Sequence, residues 1–183
     1  MASKPDKNAV PLRVSIRRML ESDLEDVYPI ELASYTSPWP LECFEGELRI
    51  NTMARYVVAE TEKQEVVGYA GQWIAADEAH ITTLAVRPDR RRRKVAEQLL
   101  VHQLEGALRE RVESIYLEVR RHNPAAQMLY SRYRFVPVRV RERYYSDNQE
   151  DAIELRVPDA RDEKFLENLL FRRRELMEKL RNP

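Results

Sequence analysis

Leu84-Ala85-Val86-Arg87-Pro88-Asp89-Arg90-Arg91-Arg92-Arg93-Lys94-Val95-Ala96 runs from the end of an apolar strand, through a stop at Pro88 and five consecutive cations, into a helix. A strand end feeding a helix N-terminus leaves main-chain N–H groups unpaired beside the positive end of the helix dipole. Such a turn is an anion site, and the cations would strengthen it for phosphate. Taken alone, the same run also reads as a solvated basic loop or an RNA contact. The elements on either side decide between these readings.

Downstream, apolar residues at 95, 99, 100, 104, 108 and 112 give one helical face. Ser114 to Val119 then alternates as a strand, with Ile115, Leu117 and Val119 on one face and Tyr116, Glu118 and Arg120 on the other. Asn123 caps a helix with Pro124 at its first position. Phe135–Val140 and Ala152–Val157 are the last strands, separated by the polar 146–151 turn. The charged segment 159–182 forms a further helix with an apolar stripe at Phe165, Leu166, Leu169, Leu170, Leu176 and Leu180.

Upstream, Ala79–Val86, Val66–Ala75 and Arg55–Glu60 read as strands, with a polar turn at 61–65. Leu41–Ile50 is a short helix. Before it, Ser37-Pro38-Trp39-Pro40 ends a helix whose start is marked by Ser22 as N-cap and Glu25 three residues on. Leu12–Ile16 is a first strand, and residues 1–11 are expected to be a disordered tail. The order is β-α-α-β-β-β-α-β-α-β-β. It predicts an α/β fold: a mixed, twisted sheet with helices on both faces, residues 12–158 as one domain and 159–183 as a helical extension.

Composition narrows the function. Lys+Arg and Asp+Glu each number 31, so the net charge is zero, which argues against a protein that chiefly coats nucleic acid. Cys43 is the only cysteine and reads as buried; no internal disulfide is possible, so a reducing compartment is expected. No apolar run approaches a membrane span, and the first residues lack the apolar core of a secretion signal. A cytoplasmic protein with no membrane partner is expected. Asp77-Glu78-Ala79-His80 points its polar groups in different directions and has no second ligand cluster, so no metal is expected. Glu118 is a strand carboxylate that is either merely solvated or a general base. Tyr130, seven residues into the helix capped at Asn123, either packs or faces the same cleft.

Taken in order, Ser37-Pro38-Trp39-Pro40, Val67-Gly68-Tyr69-Ala70-Gly71, Asp77-Glu78-Ala79-His80-Ile81, Leu84-Ala85-Val86-Arg87-Pro88, Leu117-Glu118-Val119-Arg120, Asn123-Pro124-Ala125-Ala126, Leu129-Tyr130 and Tyr144-Tyr145 resemble the GNAT N-acetyltransferases, in particular the RimI-type ribosomal-protein-alanine acetyltransferases. The resemblance spans residues 12–157. It implies acetyl-CoA as acetyl donor, no metal, and the N-terminal amine of a ribosomal protein as acceptor, with nucleic acid met only through the ribosome. It implies the pantetheine arm along Leu84, Ala85 and Val86. The pyrophosphate would lie on Arg91, Arg92, Arg93, Lys94, Val95, Ala96 and Glu97, and the cofactor arm would touch Asn123. Glu118 matches the family's general base and Tyr130 its general acid. Trp39, Tyr69, His80, Tyr144 and Tyr145 are candidate acceptor-lining residues, Trp73 another, and the 146–151 loop a candidate lip. Lysine or small-amine acetylation, a non-catalytic acetyl-CoA sensor, or a ribosome-associated binding protein that contacts RNA through the basic loop and Arg172-Arg173-Arg174, are the competing functions. Whether the chain is a monomer or weak dimer stays open.

The chain departs from the family pattern at two glycines. Lys94 stands at the first glycine of the phosphate loop, and Arg134 between two aromatics where the family has glycine. With only four glycines in the chain, a loop needing φ > 0 must use another residue. The expected cost is ~1 kcal/mol or more at Lys94, offset if its ammonium makes a charge-assisted contact.

Overall fold

The computed structural model describes residues 9–182. Seven strands form one mixed sheet in the order β1-β2-β3-β4-β5-β7-β6. They are β1 (Ser15–Arg18), β2 (Ala54–Glu60), β3 (Val66–Ala75), β4 (Glu78–Val86), β5 (Ser114–Arg120), β6 (Val136–Arg141) and β7 (Ala152–Val157). The helices are α1 (Leu24–Ser34), α2 (Leu41–Arg49), α3 (Val95–Arg109), α4 (Pro124–Arg132) and α5 (Glu163–Arg181).

Strand alternation sorts the core into two faces. Tyr56, Val58 and Tyr69 pack with Val27 and Ile30 of α1 and Phe44 of α2. Val57, Ala59, Val67 and Val86 face Val95 and Leu99 of α3. Ile115, Leu117 and Val119 of β5 meet Leu100 and Leu104 of α3, Tyr130 of α4, and Phe165, Leu169, Leu176 and Leu180 of α5. The terminal helix is thus part of the main core. Truncating a buried aromatic such as Phe165 costs about 3–5 kcal/mol.

The feature that makes the site is a pairing that stops. β4 and β5 are parallel neighbours only from Glu78–His80 against Ser114–Tyr116. Just beyond, β4 bulges at Thr82, where its register against β3 shifts from Ile81↔Gln72 to Thr83↔Gly71. A bulge bends its strand and increases local twist. β5 stays paired with β7 from Ile115 to Arg120. The two strands therefore part in mid-sheet, and the ends of both face a gap.

Several expectations shift. β1 starts at Ser15 rather than Leu12. Residues 12–14 instead run beside the start of α3, where the Leu12 N–H donates to the Arg93 carbonyl at 2.9 Å and Gln98 bonds the main chain of Leu12 and Val14. Of the expected tail, residues 1–8 lie outside the described residues, and the Val10 carbonyl accepts from Arg93 Nε at 2.9 Å. Asp23, not Ser22, caps the first helical turn: its carboxylate accepts the Leu20 N–H at 2.7 Å and pairs with Arg17. α1 then begins at Leu24. Cys43 is exposed, because the inward face of α2 belongs to Phe44. No described helix is long and apolar enough to cross a membrane.

Candidate active site

Leu84 sits on the β4 edge of the gap. Its N–H donates to the Tyr35 hydroxyl at 3.3 Å, and its carbonyl accepts from the same hydroxyl at 3.1 Å. That main chain therefore faces the gap rather than β3. Ala85 and Val86 follow as buried strand residues, and the Val86 carbonyl accepts from Arg91 Nε at 3.0 Å.

The loop into α3 is shaped by its main chain. Arg92 and Lys94 both adopt φ of 66°, and Lys94 is the helix N-cap. The first helical bond here runs from the Gln98 N–H to the Lys94 carbonyl at 3.1 Å, which leaves the N–H groups of Val95, Ala96 and Glu97 at an open helix start. Such a start suits the phosphates of a nucleotide cofactor.

The loop's side chains mostly turn back to the protein. Arg91 reaches Ser34 at 3.1 Å and Arg93 reaches Val10, whereas Arg92 is exposed. The Lys94 ammonium lies 2.7 Å from Glu97, a carboxylate only 5% exposed that also meets Arg132 at 3.3 Å and the Tyr133 hydroxyl at 3.1 Å. Glu97 is thus a buried tie between α3 and the end of α4. Lys94 supplies the positive φ of a glycine and adds an ion pair that a glycine cannot.

Across the gap, Glu118 lies on β5 with His80 Nε2 at 2.7 Å and Arg141 at 3.2 Å. The His80 ring stacks on Tyr116 at 4.4 Å and meets Trp73 edge-on at 5.9 Å. Arg141 also grips Glu154 at 2.8 Å, the residue that pairs with Glu118 in the β5–β7 register. Glu154 is buried, which opposes its charge, but Arg139 and Arg141 outweigh that and hold its carboxyl below the usual range. His80 is placed at the carboxylate itself.

Tyr130 projects from α4 with 8% exposure. Burial first, then the nearby Tyr35 and Tyr145, push its pKa up, so it keeps its proton through the neutral range. A buried phenol that stays protonated is suited to donate. Asn123 is occupied as the α4 cap, its Oδ1 accepting the Ala126 N–H at 3.1 Å.

The acceptor-lining candidates separate. Tyr69 is fully buried, its ring against Phe44 and its hydroxyl on Glu31, so it presents no surface to a ligand. The cause is strand parity, which turns Tyr69 into the α1–α2 core. Trp39 is half-buried, and its main-chain N–H donates to Glu31 Oε1 at 2.8 Å. Burial raises the Glu31 pKa. Tyr144 is exposed and meets Tyr145 edge-on, and Tyr145 lies under Arg120. Among the described residues no cluster of three or more His, Cys, Asp or Glu is placed to hold a metal ion.

Sequence reasoning did not find Tyr35, Glu31 or Arg141. Their roles come from partners tens of residues away, as in Tyr35 with Leu84 and Glu31 with Tyr69.

The comparisons fit this geometry. Residues 24–135 match the acetyltransferase (GNAT) family. A protein of Bacillus subtilis (strain 168), which carries the provisional name ribosomal protein bS18-alanine N-acetyltransferase, is 38% identical over 141 residues, covering 77% of this chain and 93% of its own. The ribosomal protein bS18-alanine N-acetyltransferase of Escherichia coli (strain K12) is 30% identical over 149 residues, covering 79% and 97%. The crystal structure of the ribosomal-protein-S18-alanine N-acetyltransferase from Escherichia coli aligns with a TM-score of 0.73 at 28% identity, covering 80% of this chain and 94% of that one. With a sheet that opens beside the start of α3, a match to the family over residues 24–135 and relatives matched over nearly their full lengths, this chain belongs to the GNAT family and is an acetyl-CoA-dependent N-acetyltransferase.

Proposed function

We propose that the acceptor is the α-amine of a protein N-terminus, specifically the N-terminal alanine of a ribosomal protein, as the names of the relatives say of those proteins. The observation that carries the reading is the gap itself. The Glu118 carboxylate on β5 and the protonated Tyr130 on α4 belong to elements bordering it, and the Leu84 main chain faces it from β4.

The amine arrives as an ammonium with a pKa near 8. Glu118 takes its proton, through water or directly. His80 and Arg141 fix the carboxylate's direction by occupying one oxygen each. The Leu84 N–H, once Tyr35 gives way, donates to the oxygen that gains charge as the amine attacks the thioester carbonyl. As the carbon–sulfur bond breaks, Tyr130 gives its proton to the departing sulfur, and the second proton shed by the nitrogen restores the phenol through solvent. The N–H groups at the start of α3 and the exposed Arg92 hold the donor's phosphates. No covalent enzyme intermediate is needed, and the exposed Cys43, on the outer face of α2, takes no part. In the cell this chemistry belongs to the cytoplasm, where ribosomal proteins are made.

The test is a mass-spectrometric screen of purified protein and acetyl-CoA against peptides with free N-termini, beside lysine peptides blocked at the N-terminus and small amines. Alanine-initiated ribosomal peptides are expected to be acetylated fastest. Preference for lysine or small amines would overturn the acceptor assignment. At 100-fold excess over Kd, acetyl-CoA should stabilise the fold by about 2.7 kcal/mol.

A further inference from the structure

Arg120 ends β5 on the same face as Tyr116 and Glu118. That is the α1–α2 face, opposite the one on which α3 packs. Its guanidinium is 22% exposed and its binding capacity is almost filled. Nη2 donates to Thr36 Oγ1 at 3.1 Å and Asp147 Oδ2 at 2.9 Å. Nη1 donates to Glu150 Oε2 at 3.1 Å and Asn148 Oδ1 at 3.2 Å. The flat face of the group lies 3.8 Å from the centre of the Tyr145 ring. Thr36 belongs to the 35–40 loop between α1 and α2, and its hydroxyl also bonds Asp147. The other partners all belong to the 142–151 loop between β6 and β7.

One side chain therefore joins two loops that are far apart in sequence. The join needs a planar cation with donors on two sides and a face for an aromatic ring. Arginine alone among the side chains offers this, since a lysine ammonium is a point charge with three donors. The join also bears on the chemistry. Tyr145 lies under Arg120, and Tyr35, next to Thr36 in the chain, holds its hydroxyl on the Leu84 main chain at the edge of the gap. The donor's phosphates belong at the start of α3, on the other face, so the clasped loops border the side left for the acceptor.

We propose that Arg120 is a positioning residue that clasps the 35–40 and 142–151 loops across the acceptor end of the gap, and so sets affinity for the acceptor rather than for acetyl-CoA. This rests on the acetyl-transfer reading given above.

The test uses the full chain, acetyl-CoA and an alanine-initiated peptide, with two variants. Arg120→Lys keeps the charge and loses the planar fork, and should raise the peptide KM about tenfold, equivalent to about 1.4 kcal/mol. Thr36→Val, at an exposed site, removes only the link between loops and should raise it about threefold. In both, kcat and the acetyl-CoA Kd should stay within about twofold of the parent. Amide exchange at 144–150, measured without peptide, should speed up in both. The clasp is overturned if acetyl-CoA affinity falls in step with peptide affinity. It is also overturned if Thr36→Val changes neither the peptide KM nor the exchange. Should Arg120→Lys fail to fold, Thr36→Val decides. If the parent acetylates no N-terminal peptide, the acceptor reading fails, and the exchange rates still decide whether the clasp exists.

Discussion

The loop at 90–96 and the loop at 142–151 are held by opposite means. The first is shaped by its main chain: φ of 66° at Arg92 and Lys94 aims N–H groups outward, while Arg91, Arg93 and Lys94 tie back to Ser34, Val10 and Glu97. The second is held by side-chain charge, with Asp147 and Glu150 gathered on Arg120, and Asp151 on Arg121. A main-chain site tolerates side-chain change as long as the backbone conformation survives. A charge-held loop depends on every partner and on pH. This explains how the 90–96 loop can lack a glycine without losing its shape, whereas the second loop is built from particular acids.

Glycine use makes the same point. Among the described residues eight non-glycines have positive φ, and no glycine does. Two of the four glycines are placed instead where a side chain would collide: a Cβ on Gly68 would stand 2.9 Å from the Ala85 carbonyl, and one on Gly71 would strike the Tyr56 ring. The chain keeps glycine for close approach and accepts strain in turns.

The largest expected effect lies between the loops. Tyr130→Phe should lower kcat by about 10²–10³-fold while the acetyl-CoA Kd and peptide KM stay near those of the parent. A matching loss of either affinity would mean that Tyr130 supports a loop rather than the chemistry.

Acid should next separate the loops. The His122 N–H, and then Arg120, pull the Glu150 carboxyl down to about 2, against desolvation. Asp147 is lowered first by Thr36, then by Arg120. A carboxyl depressed in the folded state stabilises it above its unfolded pKa, about 4.3 for Glu, and that contribution fades as pH falls through the folded value. Amide exchange at 144–150, corrected for its intrinsic pH dependence, should therefore stay protected down to about pH 4 and loosen between about 4 and 2. Exchange in the 90–96 loop should not follow it. Loosening of 144–150 near pH 6 would show that these carboxylates do not hold the loop.

The smallest effect is expected at Lys94. Lys94→Gly relieves about 1 kcal/mol of left-handed strain and loses a partly buried ion pair of similar size, so thermal stability should move by less than about 1 kcal/mol. Lys94→Ala keeps the strain and loses the pair, so it should be the less stable of the two. Acetyl-CoA affinity should change less than about threefold in both, because the N–H groups hold the phosphates. A tenfold loss in Lys94→Gly would make the ammonium a phosphate ligand and break the contrast between the loops.

The sequence by itself determined the order of elements, the strand face shared by Tyr116, Glu118 and Arg120, and the Asn123 cap, because these follow from periodicity and nearest-neighbour bonding. It also located the basic turn that leads from β4 into α3, since a strand end, a run of cations and a helix start are adjacent in the chain. It misplaced the first strand and the first cap, where Arg17 and Asp23 formed a pairing that local pattern does not express. It could not tell that Tyr69 is buried and Tyr144 exposed, since a tyrosine's packing depends on the layer opposite it. Only the tertiary structure decided that β4 leaves β5 after His80, that Lys94 turns to Glu97, and that Arg120 joins Thr36 to Asp147. Each of these last features depends on chain folding to bring groups into register, and side-chain charge contacts across such distances leave no periodic trace in the sequence.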